Sequence, residues 1–437
     1  MIPKNVNPVL MKYSYLMPII LFLLLMHRAD KSAAQETAIN LERCYTLAKA
    51  NYPTIKKLDL IAKTGEYTIQ NANKRFLPQI SFSGQASYQS QTVSFADAIG
   101  ALPGISLPSL SKDQYKIQAE VSQLLYDGGN TKSQKGLIAA NTAFQEQTLE
   151  SNLYGIKQRI NSLYFAILLI DAQLTQNELN KMSLQTQVQK AEAALSNGVA
   201  FRSNVDELKA EVLNIEMQTI EYRSNRTAYL KMLSLFVGLE LPETIQLEFP
   251  QSELLHTAIS RPELKAFDLQ KSVYDEQEKQ LKSDYLPQIS AFFQGAYGRP
   301  TLNIIENKFG PWYVTGVRFA WSLSSLYSLS NKRNTFQLSR QSIDVDKETF
   351  LLNTKVDLAQ QDEQISKYTA LIRQDDAAIA LRASVTQSAE AQLSNGVITT
   401  HEYIQKVNAE HLARQLKILH EIQLLQAIYN IKFIAGN

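Results

Sequence analysis

The sequence of 437 residues is poor in cysteine and histidine, with one and five of them respectively. A single cysteine excludes an intrachain disulfide framework and a zinc site built from cysteines. Neither sign of charge is in clear excess, and a formal net charge of +2 gives no reason to expect nucleic acid as a partner. Long apolar runs are also scarce, since only the N-terminal segment approaches the ~18 residues of a membrane-spanning helix. A mean hydropathy of −0.20 further argues against a bundle of such helices.

That one apolar run predicts an export signal over residues 1–34. Lys4 and Lys12 precede an apolar core at residues 16–26, and the small residues 32–34 follow it. This order is typical of a cleaved secretory signal peptide, and the alternative is an N-terminal membrane anchor. The segment holds four basic residues and one acidic residue, so the remaining chain has 40 basic and 41 acidic residues. The mature chain therefore has a net charge of about −1, and the apparent basicity belongs to the signal.

Residues that carry catalytic chemistry do not form a recognisable site. No histidine pair of the mature chain has the i, i+4 spacing of a helical metal site; these residues are His256, His401, His411 and His420. The Gly128-Gly129 pair indicates a turn between a strand and a helix, and it is weak evidence for a phosphate site. Cys44 follows Leu41-Glu42-Arg43 rather than small residues, which favours a packing role in a first helix over lipid attachment. We therefore predict no enzyme activity, no cofactor and no metal.

An internal repeat of about 200 residues organises the chain. Residues 76–88 (FLPQISFSGQASY) recur as residues 285–297 (YLPQISAFFQGAY), and the LSNGV segment at residues 195–199 recurs at residues 393–397. One deletion of 11 residues between these landmarks reconciles the two offsets of 209 and 198 residues. The repeat indicates a tandem duplication. Its copies are predicted to span residues 35–250 and 251–437.

Each copy contains two predicted amphipathic strands. After Pro78, Ile80 and Phe82 alternate with serines, and this period of two places apolar and polar side chains on opposite faces. The predicted strands cover about residues 78–90, 114–126, 287–298 and 312–324, with exposed connections at 91–112 and 299–312.

The rest of each copy is predicted to be a long antiparallel helical hairpin. No proline interrupts the stretch from Gly128 to Asn197, which as one helix would span about 105 Å. Apolar residues recur there at steps of three and four, as in the seam of a coiled coil. Ser-Asn-Gly then stops the helix, with Gly198 and Gly396 in the left-handed position that follows a helix C-terminus.

The four predicted strands raise a question of closure. Strands of about ten residues are long enough to cross a bilayer. Four strands do not close a barrel, and an open sheet edge cannot face lipid, so several chains would have to share one barrel. The alternative is a soluble protein whose two hairpins pack their apolar faces together, with the helices as a stalk.

Several motifs, in order and in duplicate, resemble the TolC-type outer-membrane efflux family. They are an AxxxNxP-like first helix (Ala48, Asn51, Pro53), two LPxI strand openings, QLLYDGG at residues 123–129 and two NGV helix tips. The resemblance covers essentially the whole mature chain. It implies an α+β membrane protein, whose trimer forms a 12-stranded β-barrel continuous with a periplasmic α-helical barrel. The sequence departs from the pattern at residues 322–328, where SLSSLYS replaces a second YDGG turn.

The resemblance also implies a function and its partners. The expected function is a passive exit duct of a tripartite efflux or type I secretion system in the cell outer membrane. The expected partners are two further copies of the chain, a periplasmic adaptor protein, an inner-membrane pump of the RND, ABC or MFS type, and outer-membrane lipid. The alternative is a non-transport envelope protein, structural or adhesive, with a coiled-coil stalk.

Candidate site residues follow from the same resemblance. Family members often constrict the periplasmic end with acidic residues shortly after the second tip glycine, and Glu402 stands six residues beyond Gly396. Gln405 takes the place of a second acid, so a ring of Glu402 side chains would be a weaker cation attractor. The alternative role of Glu402 is a first-turn acid favoured by the helix dipole. The expected adaptor contacts are the tip residues Asn197, Gly198, Val199, Asn395, Gly396 and Val397.

Overall fold

The computed structural model describes residues 38–93, 109–251, 258–303 and 305–436. The predicted signal at residues 1–34 and most of the predicted connection at 91–112 lie outside these ranges. The described chain is mostly helical, with one four-stranded sheet and one short parallel strand pair. No helix within these ranges is both long and apolar enough to span a membrane.

Helices form where apolar residues recur at steps of three and four, and strands form where they alternate with a period of two. The helices are α1 (Leu41–Asn51), α2 (Lys57–Asn73), α3 (Asn130–Tyr154), α4 (Ile156–Ser196), α5 (Arg202–Val237), α6 (Pro262–Asp284), α7 (Leu329–Ser394) and α8 (Thr400–Ala435). The strands are β1 (Ala38–Ile39), β2 (Gln79–Tyr88), β3 (Asp113–Tyr126), β4 (Gln246–Leu247), β5 (Gln288–Arg299) and β6 (Gly310–Ala320). Short 3₁₀ segments lie at Pro53–Lys56, Lys74–Phe76 and Leu323–Ser328.

The chain divides into two compact units, and each draws segments from both predicted repeats. One unit is formed by the described parts of Met1–Asn51, Arg159–Glu253 and Tyr368–Gln426. The other is formed by the described parts of Tyr52–Gln158, Leu254–Lys367 and Ala427–Asn437. The first unit contains the helix tips and the second contains the four-stranded sheet.

The sheet has the strand order β2-β3-β5-β6, and every neighbouring pair is antiparallel. Its register aligns the alternating side chains from strand to strand: Ile80 pairs with Val121, Val121 with Phe293, and Phe293 with Thr315. Because side chains alternate between faces along each strand, this register puts the apolar sets of all four strands on one face.

The unit that contains the helix tips has a dense core around α1. Cys44 and Ala48 are completely buried, which confirms the packing role predicted for the cysteine. The Tyr164 hydroxyl, also buried, lies 3.0 Å from the carbonyl oxygen of Ile39 and 2.7 Å from that of Glu248. A buried tyrosine needs such a partner for its hydroxyl, and here it ties α4 to the chain around β1 and β4.

The AxxxNxP-like motif has a structural role at the end of α5. The Asn51 side-chain amide donates to the carbonyl oxygens of Leu235 and Phe236, each at 3.2 Å. These carbonyls belong to the last turn of α5, whose C-terminal oxygens have no partner within the helix. Gly238 then leaves the helix with φ 71°, and a Cβ there would collide with Asn51.

The long helical stretch predicted between Gly128 and Asn197 is present with an interruption of one residue. Helix α3 ends at Tyr154 and α4 begins at Ile156, while Gly155 keeps φ −59° and ψ −18°. Gly155 lies between them, and glycine is the weakest helix former apart from proline. The start of α3 is also defined by glycines, since Gly128 and Gly129 have φ values of 67° and 81°.

Candidate functional site: the sheet faces and the helix tips

The apolar face of the four-stranded sheet is exposed in the isolated chain. Phe82 is 79 % exposed, Ile117 69 % and Val317 67 %. Other large side chains on this face are exposed as well: Ile80, Tyr88, Phe293, Tyr297, Tyr313 and Phe319. A monomeric soluble protein rarely leaves so extended an apolar surface uncovered, so this face marks a contact with lipid or protein.

The opposite face is polar and, on the two central strands, better shielded. Glu120, Gln294 and Phe292 are half-buried there, and Ala296 is buried. This distribution is the reverse of an ordinary half-buried sheet, in which the apolar face is the protected one. It is the pattern of a sheet that turns its apolar face outward.

Aromatic side chains are paired along the apolar face. Phe293 stacks on Tyr313 with ring centroids 5.8 Å apart, and Phe319 meets Trp321 edge-on at 6.5 Å. The Trp321 indole donates to the carbonyl oxygen of Tyr285 at 3.0 Å while the side chain stays half exposed. Tyrosine and tryptophan with an apolar body and a satisfied polar end suit a membrane interface.

The two helix tips belong to the other unit and end in the same turn. At the first tip the Val199 amide donates to the Ala194 carbonyl at 3.0 Å, and the Gly198 amide donates to the Leu195 carbonyl at 3.0 Å. At the second, Val397 donates to Gln392 at 2.9 Å and Gly396 to Leu393 at 3.0 Å. These two bonds define the Schellman motif, which needs a left-handed residue after the helix.

The tip glycines have that conformation, with φ 75° at Gly198 and φ 70° at Gly396. No atom lies within 4 Å of a Cβ built at either position. Glycine is therefore required by the backbone conformation and not by a close neighbour.

The second tip restarts its helix with a capping box. The Thr399 hydroxyl accepts from the Glu402 amide at 3.2 Å, and the Glu402 carboxylate accepts from the Thr399 amide at 2.8 Å. The same carboxylate accepts from the Thr399 hydroxyl at 3.0 Å. The hydrogen bond from the Thr399 amide, and to a smaller extent the one from its hydroxyl, lower the pKa of the Glu402 carboxyl below its ordinary value. Glu402 is thus exposed, ionised and held in place by the first turn of α8.

The first tip restarts without such a cap. Phe201 occupies the N-cap position of α5 and makes no side-chain capping bond. Phe201 is 77 % exposed, and Val199 in the preceding turn is 78 % exposed. Phe201 was not among the predicted site residues, although the sequence shows an aromatic residue two positions after the NGV segment. At the second tip Val397 is 68 % exposed, so each tip presents apolar side chains to solvent.

A shared core lies beneath both tips. Leu184, Leu208, Ile215, Ala389, Tyr403, Ile404 and Val407 form one buried cluster, with members from α4, α5, α7 and α8. Burial raises the pKa of the Tyr403 hydroxyl to about 12. Polar pairs flank this core: Lys190 lies 2.7 Å from Glu390, and His401 Nδ1 lies 2.8 Å from Glu207 Oε1. The two hairpin ends are therefore packed as one four-helix assembly.

Within residues 38–93, 109–251, 258–303 and 305–436, no three histidine, cysteine, aspartate or glutamate side chains are grouped to hold a metal ion. Of the predicted site residues, Asn197–Val199 and Asn395–Val397 lie at the tips and Glu402 in the capping box. His401 is engaged by Glu207 and Gln405.

One protein-family model matches part of this chain. Residues 44–239 match the model of the outer membrane efflux protein family. These 196 of the 437 residues, somewhat under half of the chain, are similar to that family. This confirms the resemblance drawn from the sequence motifs. A comparison with curated proteins gives no match.

Solved structures share the fold. CusC superimposes with a TM-score of 0.67 at 14 % identity, covering 91 % of this chain and 92 % of CusC. The outer-membrane channel OprN gives 0.65 at 11 % identity, with 91 % and 90 % covered. The outer membrane protein VceC of Vibrio cholerae gives 0.62 at 13 % identity, with 91 % and 96 % covered. The chain thus has the fold of outer-membrane channels over nearly its whole length.

Proposed function

We propose that the protein is the passive exit duct of a tripartite efflux system in the outer membrane. The observation that carries this proposal is the four-stranded sheet with an exposed apolar face and a polar, shielded opposite face. An amphipathic sheet of this kind lowers its free energy by placing the apolar face against lipid. The polar face would then line a water-filled passage. The match of residues 44–239 to the outer membrane efflux protein family supports the same function.

The two free edges of the sheet support a homotrimer. β2 and β6 are the outer strands of the described sheet, and each has a neighbour on one side only. An open edge leaves backbone groups without partners, which is costly in hydrocarbon. Three chains joined β6 to β2 would close a 12-stranded barrel, and the helices of the three chains would continue it as a periplasmic tunnel. The duplication into residues 35–250 and 251–437 would give each chain two hairpins of similar length.

The helix tips are the proposed contacts for a periplasmic adaptor, which in turn joins an inner-membrane pump of the RND, ABC or MFS type. Asn197–Val199 and Asn395–Val397 lie in exposed turns, and Val199 and Val397 are apolar. Exposed apolar side chains held by a rigid turn lose little conformational entropy on binding. Residues 1–34 would export the chain and be removed, a point that N-terminal sequencing of the purified protein checks.

Conductance tests the duct directly. Detergent-extracted protein is expected to run as a trimer and to produce discrete conductance steps in planar bilayers. A monomer that is fully soluble without detergent would contradict the proposal. A trimer without conductance would favour the alternative of a structural or adhesive envelope protein over a duct for efflux or type I secretion.

Glu402 is the proposed periplasmic gate residue. Three ionised carboxylates around the narrow end would attract cations, so Glu402→Gln is expected to lower the cation preference of the conductance. Glutamine also serves in capping boxes, so this variant removes the charge and keeps the cap. Thr399→Ala is the matched control, because it removes the cap and keeps the charge. Unchanged selectivity in Glu402→Gln would exclude Glu402 as a gate and leave it a capping residue.

A further inference from the structure

Five charged side chains lie on the four strands of the sheet, and they are divided between its faces. Asp113 and Arg299 pair with each other at one end of the sheet, on the apolar face. Lys116, Glu120 and Arg318 occupy the alternate strand positions, and the register places all three on the polar face. All other strand positions on the polar face are uncharged, chiefly serine, glutamine and small or aromatic residues.

The three polar-face charges are held by named contacts. The Gln294 side-chain amide donates to Glu120 Oε2 at 2.7 Å, and Arg318 Nη2 donates to Glu120 Oε1 at 3.4 Å. The Arg318 guanidinium lies 4.9 Å from the ring centroid of Phe292. Lys116 Nζ lies 5.9 Å from the ring centroid of Trp312. Cations above aromatic rings are held against the sheet surface.

The charge balance of this cluster is positive. Each chain contributes two cations and one anion, and the anion is already bonded to one of the cations. One positive charge per chain is therefore in excess on this face. At physiological ionic strength a charge acts over roughly 8 Å, and low-dielectric walls focus its field within a passage.

We propose that Lys116, Glu120 and Arg318 form an anion-favouring ring in the barrel lumen. The inference rests on the proposed duct function, since three chains must bring three copies of the cluster around one passage. Small anions and anionic cargo are then favoured in the barrel segment, whereas the Glu402 carboxylates act at the helix tips. Glu120 reduces the excess positive charge of the ring and positions the Arg318 guanidinium. Lys116 and Arg318 make the net charge of the ring positive.

Reversal potentials under a potassium chloride gradient test the ring in planar bilayers with purified trimers. Arg318→Gln and Lys116→Gln are each expected to lower the chloride-to-potassium permeability ratio by about two- to threefold. Glu120→Gln is expected to raise it, and Arg318→Lys to preserve it. These shifts should disappear near 1 M salt, where screening acts over about 3 Å.

Arg299→Gln is the matched control, because it removes a cation of the same sheet from the apolar face. It should leave the permeability ratio unchanged, and gel filtration checks that each variant stays trimeric. Unchanged ratios in the trimeric Arg318→Gln, Lys116→Gln and Glu120→Gln variants would overturn the ring while leaving the duct intact. An equal shift in Arg299→Gln would also overturn it. Absence of discrete conductance from the unmodified protein would instead overturn the proposed function, and the ring with it.

Discussion

The chain reverses through the same turn at both helix tips, but the helix that follows begins differently at each. Both close with a Schellman turn around a left-handed glycine, Gly198 or Gly396. The second then restarts on the Thr399–Glu402 capping box, whereas the first restarts on an exposed Phe201 without a side-chain cap. The turn that reverses the chain is thus the same at both tips. The helix start that follows is stabilised by a cap at the second tip and presents an apolar surface at the first.

This difference suggests a division of roles between the tips. An aromatic ring in solvent costs free energy that contact with a partner would recover. A capped helix start is stable without a partner. We therefore expect the first tip to depend more on the proposed adaptor contact, and the second to keep its geometry when the protein is alone.

The largest expected effect concerns the core that both tips share. Leu208 is 1 % exposed, and Leu208→Ala should destabilise the four-helix assembly by about 2–5 kcal/mol through lost burial and a cavity. Hydrogen exchange should then accelerate in both tip turns. Gln218→Ala, an exposed position on the same helix, is the control. Faster exchange at the first tip alone would show that the tips do not share a core.

Substitution of the tip glycines should affect both tips equally. A left-handed backbone costs a residue with a Cβ roughly 1–2 kcal/mol, and neither glycine has a neighbour that adds a clash. Gly198→Ala and Gly396→Ala should therefore give similar losses of protection at the Val199 and Val397 amides. Asparagine, which tolerates this conformation better, should cost less at both positions. A large difference between the alanine variants would contradict equivalent turns.

Substitutions at the starts of α5 and α8 should reverse the difference in local stability between the two tips. Thr399→Ala removes an N-cap and should cost the second tip about 1 kcal/mol. Phe201→Thr supplies a hydroxyl at the uncapped start of α5 and should stabilise the first tip by a similar or smaller amount. Amide exchange in the first turns of α5 and α8 measures both. If Phe201→Thr weakens the first tip, the ring has an intrachain role that its exposure does not indicate.

The smallest effect is a pH dependence confined to the second tip. The pKa of the Glu402 carboxyl lies below its ordinary value of 4.5 in the folded chain, so the unfolded segment takes up its proton first. The capping contribution is therefore fully present above about pH 4.5 and is lost as the pH falls through the folded pKa. Protection of the first turn of α8 should fall in that range. Glu402→Gln should abolish this fall, and its persistence would assign it to another group.

Much of the fold was predictable because its signals are local. Pro78 and Pro287 precede strands with a period of two, and the SNG segments end helices, since these patterns depend on backbone sterics and side-chain alternation. The interruption at Gly155 was not predicted, because one glycine inside a helical pattern is often tolerated. For Glu402 the sequence allows two roles, a first-turn acid and a gate. The structure places its carboxylate in the capping box, and the gate remains a proposal.

By itself, the sequence determined where the strands run, where the helices reverse and that a cysteine is a packing residue, because each depends on near neighbours. Only the tertiary structure decided which face of the sheet is shielded, since that depends on how four strands pair. It also placed Asn51 on the carbonyls of Leu235 and Phe236, and His401 beside Glu207. Those contacts join residues more than 180 positions apart, and no local pattern encodes such a pairing.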